Sequence, residues 1–353
     1  MNILLLNWRD LKHPASGGAE VWAHRVAEGL VDLGHKVTFF SSSVADAPEE
    51  EVINGVHIVR RGSRIGVYRK ARQFFKNNPN SFDVILEEIN TRPFFSHNWS
   101  DVPVVPMIHQ VAKDVWKYEA PFPLSTVGRY VLEPLWLRKL QKLRVMTLSP
   151  SSAESLREYG VTNSVVVLPG SDDVSVKISD KELTPTVVFL GRLVPSKRPD
   201  HVIEAFRILQ REVPDARLWM MGSGPLEAKL RKNLPSGVTI FGHVSYEERQ
   251  SRLSRAHVLV ATTVREGWGL NVSEASAVGT PTIGYDSPGL RDSIPMSGGV
   301  VVPIDSKALA QELIQFFKGQ SVASPRIATL PWNSVCAQIE SELEEAVNCF
   351  RRR

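Results

Sequence analysis

Short apolar runs alternate with segments of helical spacing along the whole 353-residue chain, and no other feature restricts the fold as tightly. In the first half the runs are 3–7, 37–41, 56–59, 83–87, 104–109, 145–149 and 164–168. In the second half they are 186–190, 217–221, 238–241, 257–261, 282–285 and 299–302. They are nearly continuous in Val, Ile and Leu, the character of strands covered on both faces of a parallel sheet. Between them, 18–33, 199–212, 225–233 and 306–317 carry helical spacing. Repeated strand–helix units predict an α/β fold, and the length exceeds the roughly 100–200 residues of one domain.

The sharpest break is Pro169-Gly170-Ser171-Asp172-Asp173, followed by a charged stretch to Pro185, after which strands begin again. The expected architecture is two doubly wound, Rossmann-like domains facing a central cleft, 1–169 and 170–331. A last helix, 332–353, is expected to pack back on the first domain. Hydrophobic residues at 42% and charged residues at 23% exclude a disordered or fibrous chain. No stretch reaches the ~18 apolar residues of a membrane span. Cys336 and Cys349 make neither a disulfide framework nor a zinc site. Met1-Asn2-Ile3-Leu4 lacks the basic start of a signal peptide, so a cytoplasmic protein is expected. The net charge of +4 is mild and no basic block carries interleaved aromatics, which argues against a nucleic-acid partner. Nucleotide phosphates or an anionic membrane suit it better.

The most informative segment is Arg265-Glu266-Gly267-Trp268-Gly269-Leu270-Asn271-Val272-Ser273-Glu274. Its glycines let a ligand approach the backbone, and a helix starting near Leu270 offers free N–H groups to an anion. Glu274, in the first turns of that helix, suits a ribose diol, and Glu266 sits at the strand end. Taken singly, each glutamate reads as a solvated residue beside a capped helix. A second segment, Gly191-Arg192-Leu193-Val194-Pro195-Ser196-Lys197-Arg198-Pro199, places two cations between a strand and a helix opened by proline. Arg192 and Lys197 could neutralise a pyrophosphate without metal, whereas Arg198 reads as a surface charge. In the first half, Gly17-Gly18-Ala19-Glu20 opens a helix after the first strand, where the glycines permit close approach to a donor phosphate or sugar and Glu20 complements the helix dipole. His109 and His243 each end a run, His109 as a cleft residue and His243 as a candidate for a base pocket. No complete dinucleotide fingerprint, phosphate loop, Ser elbow or Asp-x-Asp occurs, and no metal ligand set is expected.

With these residues in order, the chain resembles the retaining glycosyltransferases of family 4, which have the GT-B fold. Glu266 and Glu274 match the family's pair of spaced glutamates, Arg192 and Lys197 its phosphate-binding pair, and Gly17-Gly18-Ala19-Glu20 its Gly-Gly-x-Glu. The run from Glu88 to Phe95, with Trp116 to Pro123, is similar to a bacterial and archaeal subgroup. Two departures are Pro169-Gly170-Ser171 in place of Pro-Asn-Gly, and Asp292 where a glutamate is common.

The resemblance implies a UDP- or GDP-sugar as substrate, no separate cofactor, and a saccharide, lipid-linked or small-molecule acceptor. It places Arg192 and Lys197 on the diphosphate, Glu274 on the ribose and Glu266 on the sugar hydroxyls. The backbone at Gly267, Trp268, Gly269 and Leu270 faces the donor, and His109 lies beside the reacting carbon. Positioning and charge stabilisation then supply the catalysis. A nucleotide-sugar epimerase or a non-catalytic sugar- or lipid-binding scaffold on the same fold is the alternative. Segments 68–76 and 132–144 mix bases with aromatics, which leaves peripheral contact with the inner face of a membrane open.

Overall fold

Strands covered on both faces are what continuous apolar runs require, and Ile3, Leu4, Leu5 and Leu6 of the first strand are all fully buried. The computed structural model describes residues 1–14, 16–171, 180–327 and 330–352. Asp172 and Asp173 of the expected break lie outside the described residues. The chain divides into two units, the first comprising Met1–Ala112, Val127–Asp172 and Leu330–Arg353. Lys113–Thr126 and Asp173–Thr329 make up the second, so a short piece of the first half of the sequence groups with it.

In the first unit, eight strands make one sheet in the order β3-β4-β2-β1-β5-β6-β7-β8. These are β1 (Asn2–Leu6), β2 (Lys36–Ser41), β3 (Glu50–Ile53), β4 (Val56–Arg60), β5 (Val84–Ile89), β6 (Val104–Ile108), β7 (Val145–Thr147) and β8 (Ser164–Val166). All neighbours run parallel except β3, which is antiparallel to β4 and is absent from the apolar-run reading. Asn54 and Gly55 between them both take positive φ, the geometry of a two-residue hairpin turn. An Asn-Gly pair therefore adds an edge strand whose side chains are half exposed, too polar to register as a core run.

The chain also pairs β9 (Gly170–Ser171) with β16 (Leu330–Pro331) in parallel, at the foot of the terminal helix Trp332–Arg351. That helix packs on the first helix, Gly18–Asp32, and on β5 and β6. His35 Nε2 to Glu340 Oε1 at 2.7 Å and the Arg144–Glu342 pair secure it at its flanks. Gly29 is the tightest point, since a Cβ there would lie 2.2 Å from Cys336 Sγ. Alanine in a helix interior gains about 1 kcal/mol over glycine, whereas overpacking costs about 1–3 kcal/mol. Gly29→Ala should therefore lower the unfolding temperature despite better helix propensity, and adding Cys336→Ala, which removes the sulfur, should recover part of the loss. Thermal melts of the two variants test this; a Gly29→Ala protein more stable than wild type would show that the helices separate freely.

The mixed basic and aromatic segments fall on helices that bury one face. In Val67–Asn77, Phe75 is buried and Tyr68 and Phe74 pack on the core beneath, leaving Arg69, Arg72 and Lys76 outside. In Glu133–Arg138 and the turn after it, Leu137 and Leu140 enter the core. Among the described residues no helix is long and apolar enough to cross a membrane.

The second unit holds β10 (Thr186–Leu190), β11 (Arg217–Met221), β12 (Val238–Gly242), β13 (Val258–Ala261), β14 (Thr282–Tyr285) and β15 (Val300–Val302). They form a wholly parallel sheet in the order β12-β11-β10-β13-β14-β15. The parallel strand order reverses between β1 and β5 in the first sheet and between β10 and β13 in the second. Chains leave such neighbours in opposite directions, which opens a crevice at their carboxyl ends where ligands of doubly wound sheets bind.

Candidate active site

At the reversal in the second unit, the loop after β10 carries Arg192 and Lys197, and the loop after β13 carries Glu266 through Leu270. Cross-bonds tie these loops together. Thr262 Oγ1 donates to the Lys197 carbonyl at 2.7 Å, Thr263 Oγ1 to the Ser196 carbonyl at 3.2 Å, and Asn271 Nδ2 to the Leu190 carbonyl at 3.0 Å. Lys197 and Glu266 meet in a direct ion pair, with 25% and 19% of their side-chain surfaces exposed. They share one pocket with Leu190, Thr262, Thr263 and Asn271. A cation, a carboxylate and the start of the helix Leu270–Ala277 thus stand around one small hollow, whose wall also includes Phe189, Ala261 and Leu290.

Glu266 is held from a third loop. Its N–H donates to the Pro288 carbonyl at 2.9 Å, and a Cβ on Gly289 would lie 2.3 Å from the Glu266 carbonyl oxygen. Gly289 also takes φ +84°, a conformation side chains rarely adopt, so glycine is required there twice over. The Pro288-Gly289 turn therefore shapes the glutamate loop.

The remaining sequence candidates separate by role. Arg192 is more than half exposed and lies 3.8 Å from Glu119. Glu274 is paired instead with Arg249, 3.6 Å away on the helix Tyr246–Arg255. Gly267, Trp268 and Gly269 are buried. The Trp268 indole, 1% exposed, donates from Nε1 to Ser273 Oγ at 2.8 Å, so its ring anchors the loop. His243 follows β12 and is exposed. Arg198 differs from its reading as a surface charge, because Nη1 is buried without a hydrogen-bond partner among the described residues and the guanidinium lies 5.9 Å from the Tyr285 ring centre. Sequence reasoning missed Arg249, which no local motif marks.

In the first unit, Gly17 and Gly18 open the first helix at the end of β1, and Glu20 does more than complement the helix dipole. It is fully buried, accepts from the Gly17 N–H at 2.7 Å, and takes Arg9 Nε at 2.7 Å and Asn90 Nδ2 at 3.3 Å. Asn90 Nδ2 also reaches Asn7 Oδ1 at 3.1 Å. The carboxyl ends of β1 and β5 are thereby lined with linked polar groups. His109, 7% exposed at the end of β6, has Nε2 2.7 Å from Glu88 Oε2 and an edge-on Trp22 ring at 5.1 Å. Glu88 is the second omission. Its signal was two consecutive glutamates, Glu87 and Glu88, at the end of an otherwise apolar strand.

Residues 16–175 match the family described as Glycosyltransferase Family 4, and residues 171–327 match Glycosyl transferases group 1. A GDP-mannose-dependent monoacylated alpha-(1-6)-phosphatidylinositol monomannoside mannosyltransferase of Corynebacterium glutamicum is 31% identical over 39% of this chain, which spans only 39% of that relative. Mannosylfructose-phosphate synthase of Agrobacterium fabrum is 23% identical over 86% of this chain and 79% of its own. Sucrose-phosphate synthase from Thermosynechococcus elongatus superposes with a TM-score of 0.79 at 19% identity, covering 99% of each chain. The two matches follow one another from residue 16 to residue 327 on a GT-B fold, and the chain belongs to the glycosyltransferases of group 1, family 4.

Proposed function

We propose that this protein is a retaining glycosyltransferase that moves a sugar from a nucleoside diphosphate sugar to a hydroxyl acceptor. The Lys197–Glu266 pair in the pocket at the β10/β13 reversal carries this reading. A donor sugar needs a cation for its diphosphate and, on the adjoining ring, an acceptor for its hydroxyls, and these two side chains stand in contact. Lys197, with Arg192 beside it in sequence, would neutralise the charge that builds on the leaving phosphate. Glu266 would orient the sugar, Glu274 the ribose, and we assign His109 of the first unit to the transferred sugar. No side chain needs to act as nucleophile: the leaving phosphate takes the acceptor proton as the new bond forms on the same face. Fixed charges aimed at a developing anion are the strongest aid a site of this kind offers. The names of the relatives support both a lipid-linked and a sugar-phosphate acceptor class.

The test is release of nucleoside diphosphate from a panel that includes UDP-glucose and GDP-mannose, with and without EDTA. Arg192 and Lys197 occupy the leaving-group role that a divalent ion fills elsewhere, so turnover should persist in EDTA. Loss of turnover restored by magnesium or manganese would overturn this assignment. A donor consumed without any new glycoside or hydrolysed sugar, but with an epimerised nucleotide sugar, would favour the epimerase.

A further inference from the structure

The two adjacent glutamates of β5 are buried in opposite ways. Glu87 is filled: Phe94 N–H donates to it at 2.7 Å, Phe95 N–H at 3.1 Å and Ser96 N–H at 2.9 Å, with the Ser96 hydroxyl as a further donor. It folds the loop after the strand, and that accounts for it. Glu88 points to the other face, as the next residue of a strand must. Its Oε2 meets His109 Nε2 at 2.7 Å, while Oε1 is buried with no hydrogen-bond partner among the described residues. Burial pushes its carboxyl above the usual range, and the His109 ring draws it back only in part. Glu20, the other carboxylate acting on it, is already taken by Arg9 at 2.7 Å and by the Gly17 N–H. A buried carboxylate with one partner and one orphan oxygen is a poor source of stability, since apolar packing of similar volume does as well or better.

What the pair does achieve is orientation. The ring is fixed by Trp22 packed edge-on at 5.1 Å, and the His109 carbonyl accepts from Ser152 Oγ at 3.2 Å. The His109 ring, by charge and hydrogen bond, favours the ionised form of Glu88, and an ionised carboxylate only accepts, so the nitrogen facing it carries the proton. With a single ring proton placed there, Nδ1 is left as a bare acceptor, and no hydrogen bond from the described residues occupies it. We propose that Glu88 is a positioning residue for His109, fixing the tautomer in which Nδ1 accepts a hydrogen bond from a hydroxyl of the sugar. The role rests on the transferase reading above; the tautomer does not. A ring set this way recognises hydroxyl donors and rejects phosphate oxygens, which are acceptors only.

Nitrogen shifts of ¹⁵N-histidine in the full chain at pH 8, assigned with His109→Ala, read the tautomer without any donor. Wild type should show Nε2–H alone. Glu88→Leu should give a mixture, and Glu88→Gln, whose carbonyl still accepts, should keep Nε2–H. A proton on Nδ1 in wild type overturns the proposal whatever the protein's activity. Glu88→Leu leaves the buried His109 ring nitrogen without its partner and should unfold at a somewhat lower temperature, while the folded variant should release nucleoside diphosphate from the active donor 10- to 100-fold more slowly. Glu88→Gln should restore most of the rate, and in a His109→Ala background Glu88→Leu should cost less than twofold more. An equal loss in both backgrounds overturns the positioning role. If no donor in the panel is turned over by wild type, the transferase reading fails, and the nitrogen shifts still decide the tautomer.

Discussion

Lys197→Ala should lower donor turnover by about 100-fold or more, the largest effect expected at this site. A charge-assisted hydrogen bond lost from the diphosphate costs about 1.5–3 kcal/mol, and a carboxylate left without its partner adds about 1–3 kcal/mol. Both apply here, because the same ammonium that would meet phosphate also holds Glu266, which is four-fifths covered in the free protein. Arg192→Ala should cost much less, about tenfold, since that side chain is half in water and its Glu119 contact is long at 3.8 Å. Lys197→Arg should recover only part of the rate, because a planar fork does not replace a point charge in a pocket already fitted to one. Initial rates of nucleoside diphosphate release at saturating and limiting donor check the ranking. A Lys197→Ala enzyme within threefold of wild type, or an Arg192→Ala enzyme worse than it, would remove Lys197 from the leaving-group site.

That ranking shows where the sequence stops being readable. Strand–helix alternation reveals a doubly wound fold because two-sided burial leaves a composition signature, and β10, β11 and β14 coincide with their apolar runs residue for residue. The edge strand Glu50–Ile53 is not legible that way, being paired on one side only and half wet. The site is legible as a set of loops, since glycines, paired glutamates and cations recur at strand ends for reasons local to each loop. Who pairs with whom is not. Lys197 with Glu266, Glu274 with Arg249 and His109 with Glu88 join residues 69, 25 and 21 positions apart, brought together by sheet order or helix packing. Trp268 shows the reverse case: a motif aromatic that invites a stacking role is spent on the core beneath its own helix.

The paired glutamates should then separate by what each releases when removed. Glu274→Ala should weaken binding of the bare nucleoside diphosphate about 10- to 100-fold, corresponding to the roughly 1.5–3 kcal/mol of a charge-assisted hydrogen bond to ribose. It also strips Arg249 of its carboxylate at 3.6 Å, and Arg249 Nε is already buried without a hydrogen-bond partner among the described residues. Glu266→Ala has the opposite sign for the same ligand. In the free protein Glu266 competes with phosphate for Lys197, and its loss frees the ammonium, so nucleoside diphosphate should bind as tightly as to wild type or more so. Turnover should nevertheless fall, because contacts to the sugar act where charge and ring shape change, in the transition state. Calorimetric titration of both variants with UDP and GDP, beside single-turnover rates, separates the two signs. Weaker nucleotide binding by Glu266→Ala would mean that this carboxylate faces the nucleotide and not the sugar, and undiminished binding by Glu274→Ala would take the ribose away from the helix at Leu270–Ala277.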